Sequence, residues 1–151
     1  MTWAELQGSD WMLPAARNKT GVDLVRPLSR KAQAILKALP KAGEFVWPPN
    51  GGTKPMTNFS HYKAAFDKAS DVKGWRLHDL RRTARSLMSR SGVPSDHAER
   101  CLGHVIGGVR GVYDRHEYHA EKARAFEMLA GEIGRIVEGG SAQVVPMRGK
   151  R

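Results

Sequence analysis

The sequence has almost no cysteine, and this scarcity excludes several architectures. Cys101 is the single cysteine among 151 residues, so no disulfide can form within the chain. A zinc site built from several thiolates is excluded for the same reason. Cys101 precedes Leu102 in an apolar helical stretch, which predicts a buried, inert thiol. This cysteine usage fits a reducing cytoplasm, and we expect the protein to act there, associated with the nucleoid.

Long apolar runs are missing as well. No segment approaches the roughly 18 apolar residues that a membrane-spanning helix needs. The first residues, MTWAELQGSDWMLP, have neither the basic region nor the apolar run of a signal peptide. The sequence therefore predicts no membrane partner.

Acidic residues are the minority charge. The chain has 15 Asp and Glu against 25 Lys and Arg, for a formal net charge of +10. In a small domain this excess indicates a polyanionic partner, although charge alone does not choose between DNA and RNA. The length suggests one domain, which we place at 1–138. The Gly-rich and basic residues 139–151 predict a flexible tail.

The pattern along the chain predicts a small sheet followed by helices. Turn signals and alternation indicate strands in the first third and a short strand at 45–47, while a 3.6-residue period indicates helices thereafter. Ser29 is expected to cap the first helix. The fold class is therefore α+β and mostly helical, with a small antiparallel sheet and a helical bundle. The predicted strands are 2–6, 10–14 and 23–28, and the predicted helices are 29–40, 58–69, 78–91, 95–102 and 120–137.

The segment 77–92, LHDLRRTARSLMSRSG, predicts a helix with a cationic edge. At 100° per residue, His78, Arg81 and Arg85 share one sector, while Arg82 points away from it. This edge is either a solvated flank or a site for a phosphate group. It lies beside an apolar stripe that comprises Leu80, Ala84, Leu87 and Met88.

A second candidate segment is 102–118, LGHVIGGVRGVYDRHEY. His104 and Tyr113 lie nine residues apart, with glycines and Arg110 between them. A tyrosine has an unperturbed pKa near 10 and is a poor nucleophile unless its phenolate is stabilised or a base removes the proton. Among Arg and His side chains a phenol could attack a phosphodiester. Taken alone, the two residues are better explained as loop caps that pack within the domain.

These motifs together resemble the catalytic domain of the tyrosine recombinases, the phage integrases and their relatives. HDLRRT, LGH, and a tyrosine nine residues after that histidine occur in the family's order and spacing. Upstream, WMLPAARNKTG followed by VRPLS resembles the family's β-hairpin, whose turn carries a lysine, here Lys19. KPMT and YDRHEY are similar to integrases of prophages and genomic islands. The resemblance runs from about residue 2 to about 137.

The resemblance implies site-specific DNA recombination by strand breaking and rejoining. In the family a tyrosine attacks a DNA phosphate and forms a 3′-phosphotyrosine, without a metal or another cofactor. The expected partner is double-stranded DNA at attachment sites. Tyr113 would be the nucleophile and Arg81 the phosphate clamp. His78 and His104 would donate hydrogen bonds to the phosphoryl oxygens or shuttle the proton of the nucleophile, and Lys19 would protonate the leaving 5′-oxygen.

Other residues near these motifs have two interpretations each. Arg82, Arg85, Arg110 and His116 are predicted to contact DNA, but Arg82 and His116 could be solvated and Arg85 could form a surface salt bridge. Lys19 could be an ordinary turn lysine. Tyr118 is a second phenol, and the spacing from the LGH motif favours Tyr113 over it.

The sequence departs from the family before the hairpin. Family members carry a first catalytic arginine there, and no arginine occurs between Met1 and Trp11. The family's amino-terminal DNA-clamp domain is not found either. We therefore expect a partial catalytic domain with impaired activity. Two alternatives stay open: a DNA-binding remnant, and a helical module that self-associates through 120–137. Type IB topoisomerases use a similar residue set, but the LGH and hairpin pattern favours an integrase that forms homo-oligomers on DNA.

Overall fold

The computed structural model describes residues 1–49, 54–104 and 117–139. The chain is α+β and mostly helical, as predicted, with a three-stranded sheet followed by helices. Apart from Gly139, the predicted tail 139–151 lies outside the described residues, as do Arg110, Tyr113 and His116. Within the described segments, no helix is long and apolar enough to cross a membrane.

The sheet is antiparallel and runs in the order β1-β2-β3. Its strands are β1 (Leu6–Gln7), β2 (Asp10–Leu13) and β3 (Leu24–Pro27). Gly8 and Ser9 form the two-residue turn between β1 and β2, and Gly8 adopts a φ of 59°, which glycine tolerates best. A longer loop, which includes Lys19, joins β2 to β3.

The strand predicted at 2–6 is wrong for most of its length. Trp3–Glu5 forms a 3₁₀ turn, and only the two residues of β1 pair with β2. The Glu5 carboxylate explains the change, because it accepts hydrogen bonds from the Thr2 backbone N–H at 3.2 Å and from the Trp11 indole at 3.0 Å. Within the strand predicted at 45–47, Phe45 makes only an isolated bridge with Thr2.

The predicted helices are confirmed, with small shifts at their ends. Ser29 caps the first of them, since its Oγ accepts from the Ala32 N–H at 3.3 Å. Gly92 follows the third helix with a φ of 85°, the left-handed conformation typical of a helix C-terminus. The helices are α1 (Arg30–Ala38), α2 (Phe59–Ser70), α3 (Leu77–Arg90), α4 (Ser95–Cys101) and α5 (His119–Val137).

The core lies where α3, α4 and α5 meet, and α5 also packs against β3. Two polar contacts attach α5 to the sheet. Lys122 Nζ donates to the Val25 carbonyl at 3.2 Å, and His119 Nε2 lies 2.9 Å from Asp10 Oδ2. These contacts hold the sheet beside the end of α4. The buried core residues are Met88, Val93, Ala98, Cys101 and Ala125.

The apolar stripes predicted on α3 and α5 are only partly buried. Met88 is buried on α3, whereas Leu80 is 60% exposed. Near the C-terminus of α5 the buried residues are Gly134 and the charged Glu132, which is 1% exposed and ion-paired with Arg90 (Nε to Oε1, 2.9 Å) and with Arg135. Because Glu132 takes the inward position, the apolar residues of the last turns face outward. They are Ile133, Ile136 and Val137.

Cys101 is buried as predicted, and we expect its thiol to react slowly. It is 3% exposed, and burial raises its pKa to about 11. Relative to a thiol of pKa 9.0, this shift reduces the thiolate fraction near pH 8 about 100-fold. Alkylation by iodoacetamide should therefore be at least roughly 100-fold slower in the native protein than in guanidinium. Equal rates in the two states would contradict the buried thiol.

Candidate active site

A cavity of about 770 Å³ opens where the β2–β3 loop, the start of α3 and the end of α4 meet. Four of the residues predicted to be catalytic line it, although they come from three separate parts of the sequence. They are Lys19, His78, Arg81 and His104. The remaining lining comes mainly from apolar and small residues of β2, β3 and the turn after α4.

Arg81 links α3 to the turn that carries the LGH motif. Its Nη2 donates a hydrogen bond to the Leu102 carbonyl at 2.5 Å. His78 and Arg81 are three residues apart in the first turns of α3, so both side chains lie on one face of the helix. This bond uses one of the five N–H donors of the guanidinium group and holds Arg81 at the cavity wall. The other four N–H groups can serve a ligand.

His104 is positioned by Glu99, a residue to which the sequence analysis gave no role. The His104 backbone N–H donates to the Glu99 carbonyl at 3.1 Å, and His104 Nδ1 contacts the Glu99 carboxylate. A hydrogen bond from Arg85 Nε, at 2.7 Å, and the one from His104 hold the pKa of Glu99 below its usual range. An ionised carboxylate only accepts hydrogen bonds, so Nδ1 must carry the proton. Nε2 is then the ring nitrogen left for a ligand.

Lys19 projects from a turn that neighbouring side chains shape. Asn18 Nδ2 donates to the Val22 carbonyl at 2.6 Å, and the Asn18 carbonyl accepts from the Gly21 N–H at 2.9 Å. Asp23 Oδ1 accepts from the Ala15 N–H at 2.6 Å. Lys19 itself is exposed and has no carboxylate partner within the described segments. Its ammonium group is therefore available to a ligand in the cavity.

Arg26 is a cavity residue that the sequence analysis did not identify. It lies on β3 opposite Trp11, with its guanidinium carbon 5.5 Å from the centre of that ring. The signal was present in the alternation of β3, because Leu24 and Arg26 share a face and both line the cavity. Burial lowers the pKa of Arg26, and the nearby charge of Arg81 lowers it further.

The predicted DNA-contacting arginines of α3 are exposed or engaged elsewhere. Arg82 pairs with Asp79 at 3.1 Å and does not line the cavity. Arg85 contacts Glu99, Ser89 and Ser95, the last at 2.8 Å. This is the arrangement that the salt-bridge interpretation of Arg85 predicted.

Of the two tyrosines in the 102–118 segment, the structure describes only Tyr118. Tyr113 lies outside the described residues. Tyr118 precedes α5, where the Arg100 guanidinium carbon lies 3.8 Å from the centre of its ring and the His97 ring lies 5.7 Å away. Tyr118 does not line the large cavity. The ring of Tyr118 thus packs against two side chains of α4.

The cavity is chemically suited to an anion with several oxygens. Its described lining offers two guanidinium groups, one ammonium group and two imidazoles, and it includes no Asp or Glu. Such donors can surround a phosphate and stabilise charge that develops on it. No group of three metal-ligating side chains occurs in residues 1–49, 54–104 and 117–139.

Sequence comparison relates the chain to integrases. Prophage integrase IntA of Escherichia coli strain K12 is 32% identical over 145 residues, which cover 92% of this chain and 35% of the relative. Prophage integrase IntZ of the same strain is 29% identical over 152 residues, covering 95% of this chain and 37% of the relative. No family model matches the chain, and no solved structure matches it. The chain spans about a third of the length of these relatives, and its similarity to them supports an integrase family relationship.

Proposed function

We propose that this chain is the catalytic part of a tyrosine recombinase, which breaks and rejoins DNA during site-specific integration. The observation that carries the proposal is the single cavity that Lys19, His78, Arg81 and His104 share. Their types match the needs of phosphoryl transfer without a metal: charge stabilisation around the phosphate and a proton for the leaving group. The similarity to two prophage integrases supports the same reaction class.

In the proposed reaction Tyr113 Oη attacks a backbone phosphorus atom and passes its proton to an imidazole of the cavity, His78 or His104. The bond from phosphorus to the 5′-oxygen breaks, so the DNA 3′-phosphate becomes joined to the tyrosine. Lys19 Nζ donates a proton to the departing 5′-oxygen, which leaves as a free hydroxyl. Arg81, His78 and His104 donate hydrogen bonds to the non-bridging oxygens, whose charge rises in the transition state. Rejoining is the reverse reaction, so no external energy source is needed.

The described residues on either side of the segment that carries Tyr113 are His104 and Glu117. Both line a second cavity of about 270 Å³, which shares five lining residues with the large one: Asn18, Thr20, Leu24, Gly103 and His104. The placement of Tyr113 at the site is part of this proposal, because residues 105–116 lie outside the described residues.

Glu99 gives His104 a defined role in this proposal. A histidine whose Nδ1–H is committed to a carboxylate presents Nε2 to the substrate, either as an acceptor or, when protonated, as a donor. An imidazole held in this orientation can direct Nε2 at a phosphoryl oxygen. Arg85 then acts indirectly, by holding Glu99 in place through its 2.7 Å contact.

The proposed partners are double-stranded DNA and further copies of the chain. The net charge of +10 favours the first. The outward-facing residues at the end of α5, Ile133, Ile136 and Val137, favour the second, because an exposed apolar group is stabilised by burial against another copy. We propose that homo-oligomers form on DNA through this end of α5.

The proposal is tested by replacing the leaving 5′-oxygen with sulfur. The substrate is a pool of DNA duplexes randomised around one 5′-bridging phosphorothiolate, and the readout is protein that stays attached to DNA in denaturant. A thiolate leaves without protonation, so Lys19→Ala should form adduct with this pool at close to the wild-type rate. With the matching all-oxygen pool we expect the Lys19→Ala rate to fall by on the order of 10².

Lys31→Ala is the matched control, because Lys31 lies on α1 and pairs with Glu138 at 3.1 Å, away from the cavity. It should react with both pools like the wild type. A wild-type chain that forms no adduct with the sulfur pool would contradict the proposed chemistry. Equal loss of rate with both pools in Lys19→Ala would instead contradict the role of Lys19 as the acid.

A further inference from the structure

Arg26 occupies an unusual place for a guanidinium group. It is half-buried within strand β3, on the same face of the sheet as Leu24. An apolar side chain would be the usual residue at such a position. Taking a charge out of water is costly unless a partner of opposite charge is present. In the described part of the chain, no carboxylate pairs with Arg26. The Trp11 ring at 5.5 Å offsets part of the cost through a cation–π contact.

A second positive charge makes the position of Arg26 costlier. Arg26 and Arg81 line the same cavity, and the charge of Arg81 adds to burial in lowering the pKa of Arg26. A pair of like charges facing one cavity is stabilised when an anion lies between them. Gly103 lies against the same group, since a Cβ built on it would be 3.9 Å from Arg26 Nη2, and its φ of 71° favours glycine at this position.

We propose that Arg26 is a second guanidinium ligand of the anion that Arg81 binds, and that this anion is a phosphate diester or monoester. The identification of the ester as DNA rests on the function proposed above, whereas the binding of the phosphate group rests on the cavity alone. Arg26 and Arg81 approach from β3 and from α3, so they contact different oxygens of the same phosphate. The chain thereby has two guanidinium clamps in the cavity.

The first test measures phosphate binding without DNA. The unfolding temperature of the full chain is recorded in inorganic phosphate and in chloride at equal ionic strength. We expect phosphate to stabilise the wild type saturably, since a ligand that binds only the folded state raises its stability. Arg26→Met should be at least as stable as the wild type in chloride, because it removes a half-buried charge that has no carboxylate partner in the described part of the chain. Its apparent phosphate affinity should fall at least about tenfold.

Arg30→Met is the matched control, because the Arg30 side chain is 90% exposed at the start of α1. It should keep the phosphate response of the wild type. Arg26→Lys should show an intermediate affinity, because lysine retains the charge but loses the planar fork. If Arg26→Met is less stable in chloride and keeps the full phosphate response, Arg26 is a packing residue on Trp11 and the proposal is overturned. An absent phosphate response in the wild type would overturn it as well.

The same variant separates this inference from the proposed function. In the sulfur-pool assay Arg26→Met should form adduct on the order of 10²-fold more slowly than the wild type. Loss of phosphate binding in Arg26→Met, without adduct formation by the wild type, would support the anion site and contradict the recombinase. Adduct formation at the wild-type rate by Arg26→Met would overturn the role of Arg26 and leave the recombinase standing.

Discussion

Replacing Tyr113 with phenylalanine is expected to abolish covalent attachment of DNA, while replacing Tyr118 is expected to leave it intact. The Tyr113→Phe change removes one oxygen atom, and the proposed reaction has no other nucleophile to take its place. Loss of a nucleophile typically lowers a rate by roughly 10⁴-fold or more. The adduct should therefore fall below detection with the sulfur pool, in which leaving-group protonation is not required.

Tyr118→Phe is a sharp control because it makes the same chemical change five residues away. The Tyr118 ring packs against Arg100 and His97, and phenylalanine retains that ring. We expect adduct formation within about twofold of the wild type. The wild-type adduct, digested with protease and nuclease, should carry its nucleotide on the peptide that includes Tyr113.

The reverse pattern would change the assignment. An adduct that persists in Tyr113→Phe but disappears in Tyr118→Phe would move the nucleophile to the start of α5. An adduct present in both variants would indicate another nucleophile and contradict the proposed chemistry. DNA binding is measured alongside, by filter retention across a salt series. It should be unchanged in Tyr113→Phe, because that substitution removes no charge.

Local sequence patterns predicted most of the helices and strands of this fold. They were wrong where the burial of a residue depends on a partner far away in the sequence. Period and caps placed α3 and α4 within a residue or so, since these signals act over one or two turns. The stripe on α5 was only partly correct. Glu132 is buried there because Arg90, 42 residues earlier in the chain, pairs with it. No periodicity within α5 contains that information.

At the candidate site, too, part of the arrangement was predictable from the sequence and part depends on contacts between distant segments. The resemblance to recombinases selected Lys19, His78, Arg81 and His104, and the structure brings these four into one cavity, while their roles stay predictions. Two further residues at the site were given no role by the resemblance. Glu99 matters through its contact with His104, and Arg26 through a strand register that places it in the cavity beside Arg81.

The second large effect is expected for Arg81. Arg81→Ala should slow adduct formation by about 10² to 10³, the usual result of removing one donor that stabilises transition-state charge. Affinity for intact DNA should fall much less. The slope of log K against log salt should become less steep by about one, the contribution of a single phosphate contact. A large loss of rate with a small loss of affinity therefore indicates a clamp on the reacting phosphate. Equal losses of rate and affinity would indicate a general DNA contact. Arg82→Ala is the matched control and should change the rate by less than about twofold.

Arg81 also has a structural contact, so stability must be measured in the same variants. Its 2.5 Å hydrogen bond to the Leu102 carbonyl ties α3 to the LGH turn, and losing such a bond typically costs about 1–3 kcal/mol. Arg81→Lys distinguishes the two contributions, because lysine keeps the charge but lacks the fork that can hold Leu102 and a phosphate together. We expect Arg81→Lys to bind DNA almost normally and to remain at least about tenfold slow in adduct formation. Full activity in Arg81→Lys would show that a single positive charge is sufficient. The argument for a guanidinium clamp at Arg81, and with it the paired clamp at Arg26, would then fail.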